Sequence, residues 1–243
     1  MTQDEAKRMA ARRAVEFVED GMSLGLGSGT TSAIFIEELG ARVKAGLKVR
    51  GIATSAASQR LAESLSIPMT NFNETPELDL AIDGADEVGP ELALIKGGGG
   101  ALLREKIVES AAKKFIVIAD SSKLVRQLGR FPLPVEVIQM ALPIVTRKLQ
   151  ALGVNPKLRH RPDGSLYITD EGNYILDCQC GEIQDPEKTA ADIRSIPGVV
   201  EHGLFLNMAS LALIAGDKGV TEVGRWNSER FQGAVAAIAS RAE

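Results

Sequence analysis

Residues 80–106 read LAIDGADEVGPELALIKGGGGALLREK, and the way this stretch divides decides the fold. Four consecutive glycines cannot sit inside a regular element without a large loss of backbone entropy. Gly97–Gly100 therefore form a junction between the apolar run Leu92–Ile95 and a helical pattern starting at Ala101. A second junction, Asp83-Gly84-Ala85-Asp86-Glu87, follows the strand-like LDLAID. Open α/β sheets place ligands at the carboxyl ends of their strands, where both junctions fall. Charges crowd both places: Asp83 and Asp86 at one, Lys96 and Glu105 at the other.

The same alternation continues on both sides. Thr2-x-x-Glu5 resembles a capping box opening a helix to about Glu19, with Gly21 as its stop. MSLGLG, LKVRGIAT, PMTNF and KFIVIAD read as strands; SGTTSAIFIEELGARV, SAASQRLAESL and ALLREKIVESAAKK read as helices. Strands alternating with helices predict an α/β fold with a doubly wound, mostly parallel, Rossmann-like sheet.

The pattern changes after about Leu128. FPLPVEVI, PKLRH, SLYITD, YILDCQC and GVVEHGLF are strand-like, with helices over ALPIVTRKLQALG and DPEKTAADIRSI, the latter capped by Asp185 with Pro186 at its first position. This composition predicts a second, smaller α+β domain at 130–206, inserted into an α/β domain made of 1–129 and 207–243. LALIAG and GVTEVG read as strands returning to the first sheet, and residues 227–243 as a helical tail.

Composition narrows the function. With 44% hydrophobic and 25% charged residues, the chain can build an ordinary globular core. A net charge of −4 argues against a nucleic-acid partner, which selects for basic excess. No apolar run reaches the roughly 18 residues of a membrane span, and the charged N-terminus lacks a signal-peptide core. The expectation is a cytoplasmic protein with neither membrane nor nucleic-acid partner. Cys178 and Cys180 form a lone C-x-C, too few ligands for zinc and best read as reduced thiols. His160 and His202 are the only histidines, so acid–base chemistry falls to carboxylates and lysines. No metal or cofactor is expected.

Each candidate site has an ordinary reading beside a chemical one. Ser28-Gly29-Thr30-Thr31, within GLGSGTT, is either a tight strand-to-helix turn or a phosphate pocket at a helix N-terminus; it lacks the spacing of a P-loop. Asp83 and Asp86 are either an acidic turn or paired proton carriers. Lys96, Glu105 and Lys123 singly read as surface charges. Four junctions that all carry ligand-competent groups are harder to attribute to chance.

GLGSGTT, IDGADE, IKGGGGALLREK, ADSSK and FPLPVEV, in that order, together resemble the type A ribose-5-phosphate isomerase family, and IPGVVEHGLF extends the resemblance late into the chain. The tail after GVTEVG departs from the pattern of many members. The resemblance implies an aldose–ketose isomerase of the non-oxidative pentose phosphate pathway that needs no metal and acts on a pentose 5-phosphate through a cis-enediolate. It implies Glu105 as proton acceptor and a substrate site lined by Ser28, Gly29, Thr30, Thr31, Asp83, Gly84, Ala85, Asp86, Lys96, Gly97, Gly98, Gly99 and Lys123. Lys96 and the glycine N–H groups then suit a developing oxyanion, while Asp83 and Asp86 divide ring opening and hydroxyl proton transfer in an order left open. A homodimer or homotetramer is expected. Two alternatives remain: a non-catalytic sugar-phosphate sensor, and acyl transfer to coenzyme A through a nucleophilic glutamate.

Overall fold

The computed structural model describes residues 1–224, so the tail over 227–243 lies outside the described residues. The chain runs α1 (Gln3–Val15), β1 (Ser23–Leu26), α2 (Gly29–Lys44), β2 (Arg50–Ala53), α3 (Ala56–Ser64), β3 (Leu80–Asp83), β4 (Glu87–Val88), β5 (Leu94–Ile95), α4 (Leu102–Ser110) and β6 (Phe115–Asp120). It continues through β7 (Leu133–Val137), α5 (Leu142–Ala151), β8 (Asn155–Leu158), β9 (Tyr174–Gln179), α6 (Pro186–Arg194), β10 (Val199–His202), β11 (Leu204–Phe205), β12 (Leu211–Gly216) and β13 (Gly219–Gly224).

The central sheet has the order β13-β12-β6-β3-β1-β2. Its strands are parallel except β13, which returns antiparallel along β12. Burial on both faces follows from the sequence of β6. Ile116 and Ile118 join one core with α1 and α2, while Phe115, Val117 and Ala119 join another with Leu94, Leu102 and Phe205. Helix α1 opens with the Thr2–Glu5 capping box and packs through Ala6, Ala10, Ala11 and Ala14, small residues that allow a close approach. No helix among the described residues is long and apolar enough to cross a membrane.

A separate antiparallel sheet, β10-β7-β9-β8, carries α5 and α6 and has its own core around Leu133, Val135, Val145, Leu149, Leu176 and Ile193. We propose that it forms a domain at 130–206, inserted between 1–129 and 207–243; that separate core is the support.

Several local expectations change. Leu94–Ile95 does not extend the central sheet but sits in a three-stranded antiparallel sheet, β11-β5-β4. The predicted strand over 198–205 divides at Gly203, so that β10 serves the four-stranded sheet and β11 the three-stranded one. At the break, Gly203 N–H donates to Pro134 O at 2.7 Å and Gly203 O accepts from Lys96 N–H at 2.9 Å, stitching the sheets together. PMTNF and SLYITD contribute only single bridges, Gly51 to Met69 and His160 to Leu166. Helix α1 stops at Val15, because Phe17 and Val18 N–H turn back to Ala14 and Val15 carbonyls three residues away and tighten the final turn.

Helix α4 lies close to the sheet because β1 carries Gly25. A Cβ there would stand 2.8 Å from Val108 Cγ1 and 2.9 Å from Ala81 Cβ. Gly25→Ala is therefore expected to lose about 1–3 kcal/mol of stability by overpacking, measured by urea unfolding.

Candidate active site

Four strand ends converge on one cleft. It is lined by Ser28, Gly29, Thr30 and Thr31 after β1, and by Asp83, Gly84, Ala85 and Asp86 after β3. Lys96, Gly97, Gly98 and Gly99 follow β5, Glu105 projects from α4, and Lys123 follows β6. Every site residue expected from the sequence faces this space. Gln3 and Lys7 of α1 join them.

At the floor lies the Lys96 ammonium, only 2% exposed. It donates to Gly84 O at 2.6 Å and pairs with Asp83 Oδ2 at 2.9 Å, Glu109 Oε1 at 3.1 Å and Glu105 Oε2 at 3.5 Å. Phe115 and Phe205 face the same nitrogen with their rings, at 5.8 and 5.4 Å. Burial pulls the ammonium pKa down, but Asp83, Glu105 and Glu109 outweigh burial and hold it well above its ordinary value. Lys96 therefore stays charged.

Three buried carboxyls around one cation are too many to ionise together, since each unpaired buried charge costs several kcal/mol. Burial drives the Glu109 carboxyl well above the carboxylate range despite Lys96, with Asp83 and Glu105 adding to the rise. A hydrogen bond with Asp83 favours the protonated form as well. Glu109 is thus the neutral member. Burial also raises Glu105, to about 7, against the pull of Lys96. Its folded value exceeds its ordinary one, so ionising Glu105 costs stability as pH rises through 7. Ser28 Oγ donates to Glu105 Oε1 and fixes the carboxyl at the cleft edge.

Asp83 is saturated. Its Oδ1 accepts from Gly84 N–H at 2.6 Å, Ser32 Oγ at 2.7 Å and Ser28 N–H at 2.9 Å, while Oδ2 faces Lys96. The loop closes this tightly because Gly27 has no side chain: a Cβ there would lie 2.1 Å from Asp83 Oδ1. Asp86 is less encumbered. Its Oδ2 accepts from Gly98 N–H at 2.7 Å, and burial raises its pKa despite that bond and the Lys96 charge.

The glycine run is accounted for residue by residue. Gly97 and Gly100 have φ of +97° and +87°, a region disfavoured for other residues. A Cβ on Gly98 would lie 2.6 Å from Asp86 Oδ1. Only at Gly99 would a Cβ meet nothing in the protein, and this residue lies exposed in the cleft.

At the opposite end, Ser28 sits at the N-cap of α2 but makes no side-chain cap bond, since its hydroxyl is turned to Glu105. The first-turn N–H groups of Gly29, Thr30 and Thr31 have no intrahelical acceptors and face the cleft, as in an anion site. Lys7 Nζ reaches Thr30 Oγ1 at 3.1 Å, and Lys123 lines the same cleft. Sequence reasoning missed Lys7, Gln3 and Glu109. The spacing of Glu105 and Glu109, one helical turn apart, was the only available signal. His202 is no base: burial and nearby Lys106 push it down to about 3. Among the described residues no group of three or more His, Cys, Asp or Glu side chains is arranged to hold a metal ion.

The class that follows is an α/β protein with a cleft sized for a small molecule, built on a buried cation, a raised carboxyl and an open helix N-terminus. The ribose 5-phosphate isomerase A (phosphoriboisomerase A) family matches residues 50–219. A ribose-5-phosphate isomerase A of Parvibaculum lavamentivorans is 50% identical over 225 residues, covering 90% of this chain and 97% of that protein. The solved ribose 5-phosphate isomerase A of Methanocaldococcus jannaschii superposes with a TM-score of 0.88 at 42% identity, covering 92% of this chain and all of that one. A D-ribose-5-phosphate isomerase solved in complex with phospho-erythronic acid gives 0.90 at 38% identity, with 92% and 100% covered. The chain belongs to the ribose 5-phosphate isomerase A family.

The buried cluster makes a stability prediction. Lys96→Met strands the surrounding carboxyls and is expected to cost about 3–5 kcal/mol at pH 8. The loss should shrink at pH 5, where Glu105 takes up a proton. Denaturant unfolding at the two pH values measures the difference.

Proposed function

We propose that the cleft interconverts D-ribose 5-phosphate and D-ribulose 5-phosphate, with Glu105 carrying the proton between C2 and C1 through a cis-enediolate. The observation that carries this reading is Glu105 itself: buried, tied to Ser28, next to a permanent cation and held at about 7. A base with that pKa both accepts and returns a proton near neutral pH. The reaction belongs to the non-oxidative pentose phosphate pathway, and the family's relatives carry the isomerase name.

The enediolate places negative charge on O1 and O2. Lys96 at the cleft floor and the Gly99 N–H supply preorganised positive potential for it. The ligand of one solved relative, phospho-erythronic acid, is a phosphorylated hydroxy acid whose carboxylate spreads charge over two oxygens as an enediolate does. Asp86 is the proton carrier for ring opening, because Asp83 has both oxygens committed to the fold. The phosphate sits on the α2 N-terminus between Lys7 and Lys123, so that binding energy at the remote end orients the reacting end.

A sugar-phosphate sensor would bind the same anion but has no use for a raised, buried carboxyl beside Lys96, and nothing in the comparisons favours it or acyl transfer. Self-association as a homodimer or homotetramer belongs to the same reading; its support is the exposed apolar group Ile138, Met140 and Ile144, with Met140 88% exposed. A cytoplasmic location belongs to it as well, supported by the unlinked thiols Cys178 and Cys180.

Glu105→Gln keeps the Ser28 hydrogen bond and removes the proton acceptor. Turnover is expected to fall at least about a hundredfold, with the KM for ribose 5-phosphate little changed. In the unaltered enzyme kcat/KM should decline as pH drops below about 7, where Glu105 protonates. Turnover near normal in the variant would remove Glu105 from the role.

Lys7→Met tests the phosphate end. KM for ribose 5-phosphate is expected to rise about 10- to 100-fold, the loss of one charge-assisted contact, while kcat changes less. An equal effect on unphosphorylated ribose would show general damage instead.

A further inference from the structure

The outer side of the glycine turn, facing away from the cleft, is held by side chains of the antiparallel sheet region. Arg159, at the end of β8, donates from Nη1 to Gly97 O at 3.0 Å and to Gly98 O at 3.1 Å. Its Nε donates to Asp177 Oδ2 of β9 at 2.8 Å, and Nη2 donates to the other carboxylate oxygen. Tyr167 Oη donates to Gly99 O at 3.1 Å, and its ring centroid lies 5.7 Å from the guanidinium carbon. Three successive carbonyls of the turn thus accept from one region of the chain. The Arg159 side chain is only 12% exposed and does not line the cleft.

Peptide units are planar, so holding a carbonyl on one side aims its N–H at the other. The Gly97 carbonyl shares its peptide with the Gly98 N–H, which meets Asp86 at 2.7 Å. The Gly98 carbonyl shares its peptide with the Gly99 N–H, which makes no protein hydrogen bond among the described residues and lies at the cleft. Glycine resists a peptide flip less than any other residue, and the one bond inside the run, Gly100 N–H to Gly97 O at 2.9 Å, leaves the Gly98–Gly99 peptide without a backbone partner. A guanidinium spanning two carbonyls holds this orientation, because its fork is rigid and its charge permanent. It also withdraws electron density from both peptides and strengthens their N–H groups as donors.

We propose that Arg159, locked by Asp177, is a positioning residue for the isomerisation: it holds the Gly97–Gly98 and Gly98–Gly99 peptides so that one N–H orients Asp86 and the next meets the enediolate oxygen. The inference rests on the isomerase reading and gives the inserted region a part in the chemistry without touching substrate. Burial raises the Asp86 carboxyl, and the Gly98 N–H that Arg159 helps to aim lowers it more than the Arg159 charge does directly, so the larger part of the effect passes through the turn. Substrate binding in the ground state depends mainly on the phosphate end and is left largely intact.

The test compares Arg159→Met, Arg159→Lys and Asp177→Asn with the unaltered enzyme. It measures kcat and KM for ribose 5-phosphate, melting temperature, and affinity for two non-reacting ligands: phospho-erythronate, charged like the enediolate, and ribitol 5-phosphate, which lacks that charge. Arg159→Met should lower kcat about 10- to 100-fold, somewhat less than removing an oxyanion donor outright, with KM within about threefold. Phospho-erythronate affinity should fall alongside, and ribitol 5-phosphate affinity should not. Arg159→Lys, a single ammonium that cannot span both carbonyls and the carboxylate, should fall between. Asp177→Asn should show the same pattern more weakly, and it supplies the answer if Arg159→Met does not fold. A lower melting temperature with unchanged kcat per folded enzyme, or equal loss of both ligands, would overturn the proposal. An unaltered enzyme that binds phospho-erythronate but turns over no ribose 5-phosphate would overturn the isomerase reading instead; the two binding measurements would still decide the role of Arg159 in holding the turn.

Discussion

A single buried ammonium organises this molecule. Lys96 Nζ is reached by carboxyls from β3 and from two turns of α4, by the Gly84 carbonyl and by the faces of two phenylalanines. An isolated cation there would be prohibitively expensive, and so would three isolated carboxyls. Together they are tolerable only because the cluster remains near charge balance, which leaves Glu109 neutral and sets Glu105 close to 7. The electrostatic compromise that lets the core form is also what makes a carboxyl useful at neutral pH. Stability and reactivity here are one arrangement.

Around that cluster the backbone has been stripped of side chains where polar groups must come close. Gly25 lets α4 lie against the sheet, and Gly27 lets Asp83 fold under the β1–α2 loop. In the run Gly97–Gly100, two residues need left-handed backbone and a third makes room for Asp86. Only Gly99 has no steric reason internal to the fold, and it is the one of the four that is exposed, at the cleft. The same freedom makes the turn soft, which is why donors from Arg159 and Tyr167 on its far side matter.

The antiparallel region is therefore more than an appendage. Gly203 joins it to Lys96 through the backbone, and Lys106, next to Glu105 in sequence, donates to Glu201 and to the carbonyls of His202 and Leu204. Burial lowers Lys106 to about 8, yet these three acceptors keep it anchored to the β10–β11 segment. On the other flank, Arg104 pairs with Asp170 and Glu171. The triplet Arg104-Glu105-Lys106 thus sends its outer members to the antiparallel region and its middle member into the cleft.

The sequence by itself determined the alternation of strands and helices, the return of Leu211–Gly216 and Gly219–Gly224 to the first sheet, and the strand ends where chemistry gathers. These are local signals: apolar periodicity, capping residues and glycine junctions report on a few neighbouring residues at a time. It also exposed Asp83, Asp86, Lys96 and Glu105, because charges beside glycines at strand ends are visible in one dimension. Short pairings were beyond it. Leu94–Ile95 looks like any buried strand, and only its partners Leu204–Phe205 and Glu87–Val88 assign it to a separate sheet. Tertiary structure alone brought Lys7 to Thr30 and Arg159 to the glycine carbonyls, contacts spanning 23 and about 60 residues. It alone made Glu109 neutral, since a carboxyl's charge depends on how much water and how many opposing charges surround it, and neither is written in the order of the residues.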